Sequence, residues 1–109
     1  MEKVNILYIG RHPEIVETVV RLINKNEGWN GLGTADDDMA IALFTNMDFQ
    51  VVLLGCGINE EDELRLRNFF AAVNPNAKIV QHYGGGSGLL YNEITSALYD
   101  KTQTANFLS

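Results

Sequence analysis

Three residues carry side chains suited to metal binding or nucleophilic chemistry, namely His12, Cys56 and His82. Each stands at or just past the end of a short apolar run, so the three converge if those runs lie side by side. Two imidazoles and a thiolate suit zinc or copper, and a thiol beside an imidazole is the pairing of a cysteine nucleophile with its base. The spacing supports neither reading. Each residue stands alone in its loop, and no oxyanion donor or third orienting group accompanies the thiol. A single cysteine after an apolar strand reads first as a small buried hydrophobe. The expectation is no metal, no cofactor and no catalytic residue. An enzyme using Cys56 with His12 or His82 ranks third among the functions weighed.

A second constellation suits anions. Gly84, Gly85, Gly86, Ser87 and Gly88 lie between an apolar run and a helical pattern, where backbone N–H groups can cradle a phosphate. The loop has neither the Gly-Lys-Ser/Thr of a phosphate-binding loop nor the spaced glycines of a dinucleotide fingerprint. Its plain reading is a flexible connection with Ser87 as a helix cap. With Arg11 and His12 on the same rim, the candidate anion site is Arg11, His12, Gly84, Gly85, Gly86 and Ser87, for a small anion, nucleotide or flavin. The competing reading pairs Arg11 with a carboxylate of the Asp36, Asp37, Asp38 run. That run sits at a helix start, where capping and the helix dipole account for it.

The elements that position these residues alternate along the chain. Residues 4–9 form a short, mostly apolar and β-branched run ending at Gly10, as expected of a strand buried on both faces. Pro13 then suits a first helical turn, and Ile15, Val16, Val19, Val20 and Ile23 make one apolar stripe. Asn26 and Gly28 signal the end of that helix. Residues 29–35 contain two glycines and read as an irregular strand near the sheet edge. Ala40, Leu43, Phe44 and Met47 mark a second helix, and residues 51–54 a central strand. Leu66, Phe69, Phe70 and Val73 mark a third helix opening at Asn59 or Glu60. Residues 77–82 make a fourth strand, and Leu90, Ile94, Ala97 and Leu98 a last helix. Phe69, Phe70, Met39 and Met47 read as core or near-core residues. Residues 1–100 thus form one domain, with 101–109 a tail or linker lacking periodicity. Four strand–helix pairs imply an α/β fold, a parallel sheet with helices on both faces. Its functional rim lies at the carboxyl ends of the strands.

Composition bounds the partners. Apolar residues make up 46% of the 109 and charged residues 20%, which is ordinary for a globular domain and excludes extensive disorder. Eight basic against fourteen acidic residues leave a net charge of −6, a field that repels phosphate backbones and anionic lipid. Nucleic-acid and membrane partners are therefore not expected. A lone cysteine and the absence of a long apolar stretch favour a cytoplasmic protein.

The order ILYIG, helix, short strand, helix, DFQVVLLG, helix, AKIVQHY resembles the receiver domain of two-component response regulators over about residues 3–100. The most specific stretch is residues 48–54: an aspartate, an aromatic, a polar residue, then Val and Leu. The resemblance implies a flavodoxin-like architecture, here with four or five strands. In the family an acidic pair after the first strand binds magnesium, an aspartate ending the third strand accepts the phosphoryl group, and a late lysine contacts it. Carried over, the acidic pair falls on Arg11 and His12 and the acceptor on Gly55, while the lysine has no counterpart near Gln81 and His82. The resemblance thus implies a degenerate receiver, a non-enzymatic regulatory domain that contacts another protein or itself. One strand–helix pair between the fourth strand and the last helix is expected to be missing. Tyr91 and Tyr99, two turns apart on the last helix, are the candidate partner surface.

Overall fold

A computed structural model describes residues 3–84 and 87–108, with side chains described as far as Tyr99 and that of Ser87 excepted. Strands and helices alternate: β1 (Val4–Ile9), α1 (Pro13–Ile23), β2 (Trp29–Thr34), α2 (Asp37–Asn46), β3 (Val51–Leu54), α3 (Glu60–Val73), β4 (Lys78–Gln81) and α4 (Ser87–Leu108). The strands form one parallel sheet in the order β2-β1-β3-β4. This is the α/β layering that the alternation of apolar runs and helical stripes dictates. No described helix is long and apolar enough to cross a membrane.

The pleat sorts the core into two layers. Ile6, Tyr8, Val51 and Leu53 face α1 and α4, meeting Val16, Val19, Ile23, Leu90, Ile94 and Ala97. Their neighbours Leu7, Ile9, Val52 and Leu54 face α2 and α3, packing on Ala40, Phe44, Leu66 and Phe70. All four β3 side chains are fully buried, which is why this strand reads as an unbroken apolar run rather than an alternation.

The glycines of β2 have a packing role. A Cβ on Gly33 would stand 2.6 Å from Val20 Cγ2, and one on Gly31 would stand 2.7 Å from Ile23 Cγ2. Without them α1 could not lie so close to this edge strand. The outer edge of β2 is closed by Asn24, the residue after α1. Its side-chain amide accepts from the Gly31 N–H at 2.7 Å and donates to the Gly31 carbonyl at 3.2 Å.

Several expectations need correction. Ile15, Met39 and Val73 are exposed, because each helix buries a narrower stripe than its full set of apolar residues. Helix α1 ends at Ile23 with Asn24 as its C-cap, ahead of Asn26 and Gly28. Helix α4 runs through 101–108, residues read from the sequence as a tail. Extending a formed helix adds one hydrogen bond per residue and needs no apolar face, so periodicity does not mark its end.

Candidate functional site

Register brings the strand ends to one rim. Ile9 pairs with both Thr34 and Leu54, and Leu54 pairs with Gln81, so Arg11, Asp36, Gly55 and His82 follow four aligned ends. Gly55 continues β3, its N–H donating to the Ile9 carbonyl at 2.7 Å. Tyr8 pairs with Leu53, two residues earlier and on the same face, and its ring reaches along that face to Gly55. A Cβ on Gly55 would stand 2.1 Å from Tyr8 Oη and 2.7 Å from Cζ. The tyrosine hydroxyl thus fills the space into which a side chain at position 55 would project. Burial pushes the Tyr8 phenol above its usual range, with the Cys56 and Glu93 charges acting in the same direction.

Arg11 is engaged on the other side of the rim. Its guanidinium donates to both carboxylate oxygens of Asp37, at 3.0 and 3.1 Å, and to Asp62 at 3.4 Å. Arg65 completes a ring, reaching Asp37 at 3.1 Å and Asp62 at 2.9 Å. The helix starts place these groups: Asp37 opens α2, Asp62 lies in the first turn of α3, and Arg65 is one turn further on. The hydrogen bond from Arg65, followed by its charge and by Arg11, holds the Asp62 carboxyl below the usual carboxylate range against the opposing effect of desolvation. Two guanidinium groups and two carboxylates sum to zero charge. The acidic run divides its roles, since Asp36 caps α2 by accepting from the Asp38 N–H at 2.9 Å while Asp37 serves the ring.

The three residues of the first constellation do meet. His12, Cys56 and His82 line one recess of about 240 Å³ together with Tyr8. Among the described residues, however, no three His, Cys, Asp or Glu groups are arranged to hold a metal ion. Cys56 is exposed, which corrects its reading as a buried hydrophobe: β3 ends one residue before Gly55, and the chain turns outward there. Its Sγ lies 4.0 Å from the His82 backbone carbonyl oxygen rather than at the imidazole. His82 is buried, its Nδ1 hydrogen-bonded to the Glu93 carboxylate of α4, and the Tyr8 ring stands edge-on to it at 5.9 Å.

Tyr8 and Glu93 are the site residues that sequence reasoning missed. Glu93 had a signal: it occupies the i+3 position of the stripe Leu90, Glu93, Ile94, Ala97, where a carboxylate needs a partner. Of the candidate anion site, Arg11 is committed to carboxylates, and His12 is exposed and precedes α1 without a side-chain capping bond. Gly84 borders the recess. Gly85, Gly86 and the Ser87 side chain lie outside the described residues. Tyr91 and Tyr99 are 51% and 65% exposed, and the Tyr91 ring also packs on Trp29 at 5.4 Å.

No known family profile matches the chain, and no curated protein matches it in sequence. Solved structures match it in fold. A response regulator from Thermotoga maritima aligns over 86% of this chain and 78% of its own, at 17% identity and a TM-score of 0.61. The non-phosphorylated receiver domain of the stress response regulator RcsB from Escherichia coli aligns over 91% of this chain and 76% of its own, at 18% identity and a TM-score of 0.60. The order β2-β1-β3-β4 is the flavodoxin-like order without a fifth strand. Strand β4, bonded to β3, is therefore the fourth strand, and the chain passes from it directly to a helix on the α1 face. This chain has the flavodoxin-like receiver fold, with four parallel strands between two pairs of helices.

Proposed function

We propose that this chain is a receiver-like signalling domain that takes no phosphoryl group at its rim, is not an enzyme, and acts through contact with another protein or a second copy. The observation that carries this reading is the position of Tyr8 against Gly55. The residue ending the third strand offers no carboxylate, and a buried phenol occupies the space one would need. Arg11 supports it: where an acidic pair would hold a divalent cation, a guanidinium already neutralises Asp37 and Asp62. A second positive charge there would be repelled.

What remains of a receiver's work is contact. Tyr91 and Tyr99 on α4 are exposed, and Tyr83 and Leu89 nearby are 78% and 42% exposed. Exposed aromatics of this kind suit a protein interface. The test is intact-mass spectrometry after incubation with acetyl phosphate and magnesium. The expected spectrum is that of the unmodified chain; a stoichiometric phosphoryl adduct on a rim carboxylate refutes the proposal.

A further inference from the structure

Two buried residues that line the recess beneath the rim each carry a polar atom with no hydrogen-bond partner among the described residues. Tyr8 and His82 are 2% and 5% exposed, and neither Tyr8 Oη nor His82 Nε2 has a hydrogen-bond partner among the described residues. Neither atom is sealed off, since no fully buried side-chain nitrogen or oxygen lacks a partner. Both residues line the same recess, to which α1 contributes the apolar Ile15, Val19 and Leu22 together with Thr18. Two polar groups this enclosed, beside apolar side chains, form the pattern of a small-molecule site: a mostly apolar pocket with a few convergent polar groups.

The chemistry of the pair selects the ligand. The Glu93 carboxylate faces His82 Nδ1, so that nitrogen carries a proton and Nε2 is the ring atom left to meet a ligand. Tyr8 Oη–H is free to donate. A hydroxyl group answers both, because it accepts from Oη and can donate to or accept from Nε2. A carboxylate would bring a second negative charge to a ring that already faces the Glu93 carboxylate, whose charge also acts on Tyr8. The Arg11 guanidinium offers an anion little, because its charge is spent on Asp37 and Asp62. A volume of about 240 Å³ lies below the range of drug-sized sites, roughly 300–1,000 Å³, and fits one ring.

We infer that this recess binds a small uncharged hydroxyl compound with a compact apolar body, of the phenol type, held by Tyr8 and His82 beside the apolar side chains of α1. The inference goes beyond the contact role proposed above and is read out independently of phosphorylation. Either can fail alone.

Phenol is the probe, titrated into the ¹⁵N-labelled full chain, with benzoate as the charged comparison. The expected result is saturable amide shifts at Val19, Leu22, Cys56 and His82, with weaker binding of benzoate. Tyr8→Phe keeps the ring and removes one hydrogen bond, so it should weaken phenol binding by about fivefold or more. Cys56 borders the recess and is exposed, so saturating phenol should also slow its alkylation by iodoacetamide in the unmutated protein. Absence of saturable shifts at millimolar phenol overturns the inference, as do equal or tighter binding of benzoate, unchanged affinity in Tyr8→Phe, and alkylation of Cys56 that phenol does not slow.

Discussion

Replacing Gly55 with alanine probes how firmly Tyr8 holds the end of β3. The new Cβ would stand 2.1 Å from Tyr8 Oη and 2.7 Å from Cζ, where non-bonded heavy atoms rest at about 3.5–4.0 Å. The ring must retreat by more than an ångström, yet it is 2% exposed and stands edge-on to His82. Overpacking of this kind costs about 1–3 kcal/mol. Gly55 has no positive φ, so alanine also recovers roughly 0.4–1 kcal/mol by restricting the unfolded chain. The net expectation is a loss centred on about 1.3 kcal/mol within a span of about 0–2.6 kcal/mol, or about 5–10 °C in Tm at the centre for a domain of this size. Tyr8→Phe alone removes an oxygen with no hydrogen-bond partner among the described residues and should change stability by less than about 1 kcal/mol. Combined with Gly55→Ala it removes the worst clash, so the double variant should be about 1 kcal/mol more stable than additivity predicts. Urea unfolding of the four proteins, followed by far-ultraviolet circular dichroism, measures each term. A Gly55→Ala protein as stable as the parent, or strictly additive effects, would refute the packing argument.

Other consequences are open to direct measurement. Asp62 has a depressed pKa, so its contribution to stability is present above the ordinary carboxylate range and is lost as pH falls through the folded value. Arg65→Gln should raise the Asp62 pKa toward normal in a carboxyl-carbon NMR titration; an unchanged value would show that the ring does not hold it. Tyr8 has a raised pKa, so its contribution is complete below the ordinary tyrosine value and declines as pH rises through the folded one. Ultraviolet titration should show a phenol ionising above the ordinary tyrosine range, and Tyr8→Phe should remove that step. Asn24→Ala breaks both hydrogen bonds that close the β2 edge and should cost about 1–2 kcal/mol, with the Gly31 amide losing hydrogen-exchange protection.

The parts of this fold that are legible in the sequence are those with a one-dimensional signature. Residues 51–54 announce a strand buried on both faces because all four are apolar, and Asn59 and Asp36 announce helix starts because their side chains accept from N–H groups two or three residues on. Breadth of burial is less visible. Ile15 lies beside Val16 in sequence, yet a helix turns it about 100° away and leaves it at the edge of the stripe. The site was legible as a set of strand ends and not as a set of contacts. That His12, Cys56 and His82 share a rim follows from parallel register. That Tyr8 crosses to Gly55 does not, because in the run VNILYI a tyrosine reads as one more strand residue, and Gly55 is 47 positions away in the sequence. Arg11 was matched to the correct acidic run, but Asp62 and Arg65 reach it from a third element that no local spacing connects.

The most direct test of the central claim is a ¹H–¹⁵N spectrum of the full chain titrated with magnesium and beryllofluoride, a mimic of a phosphoryl group on a carboxylate. A rim in which Tyr8 fills the place beside Gly55 and Arg11 holds Asp37 and Asp62 predicts unchanged amide positions at residues 10–12, 36–38 and 55–57. Saturable shifts at those residues, requiring both reagents, would contradict it.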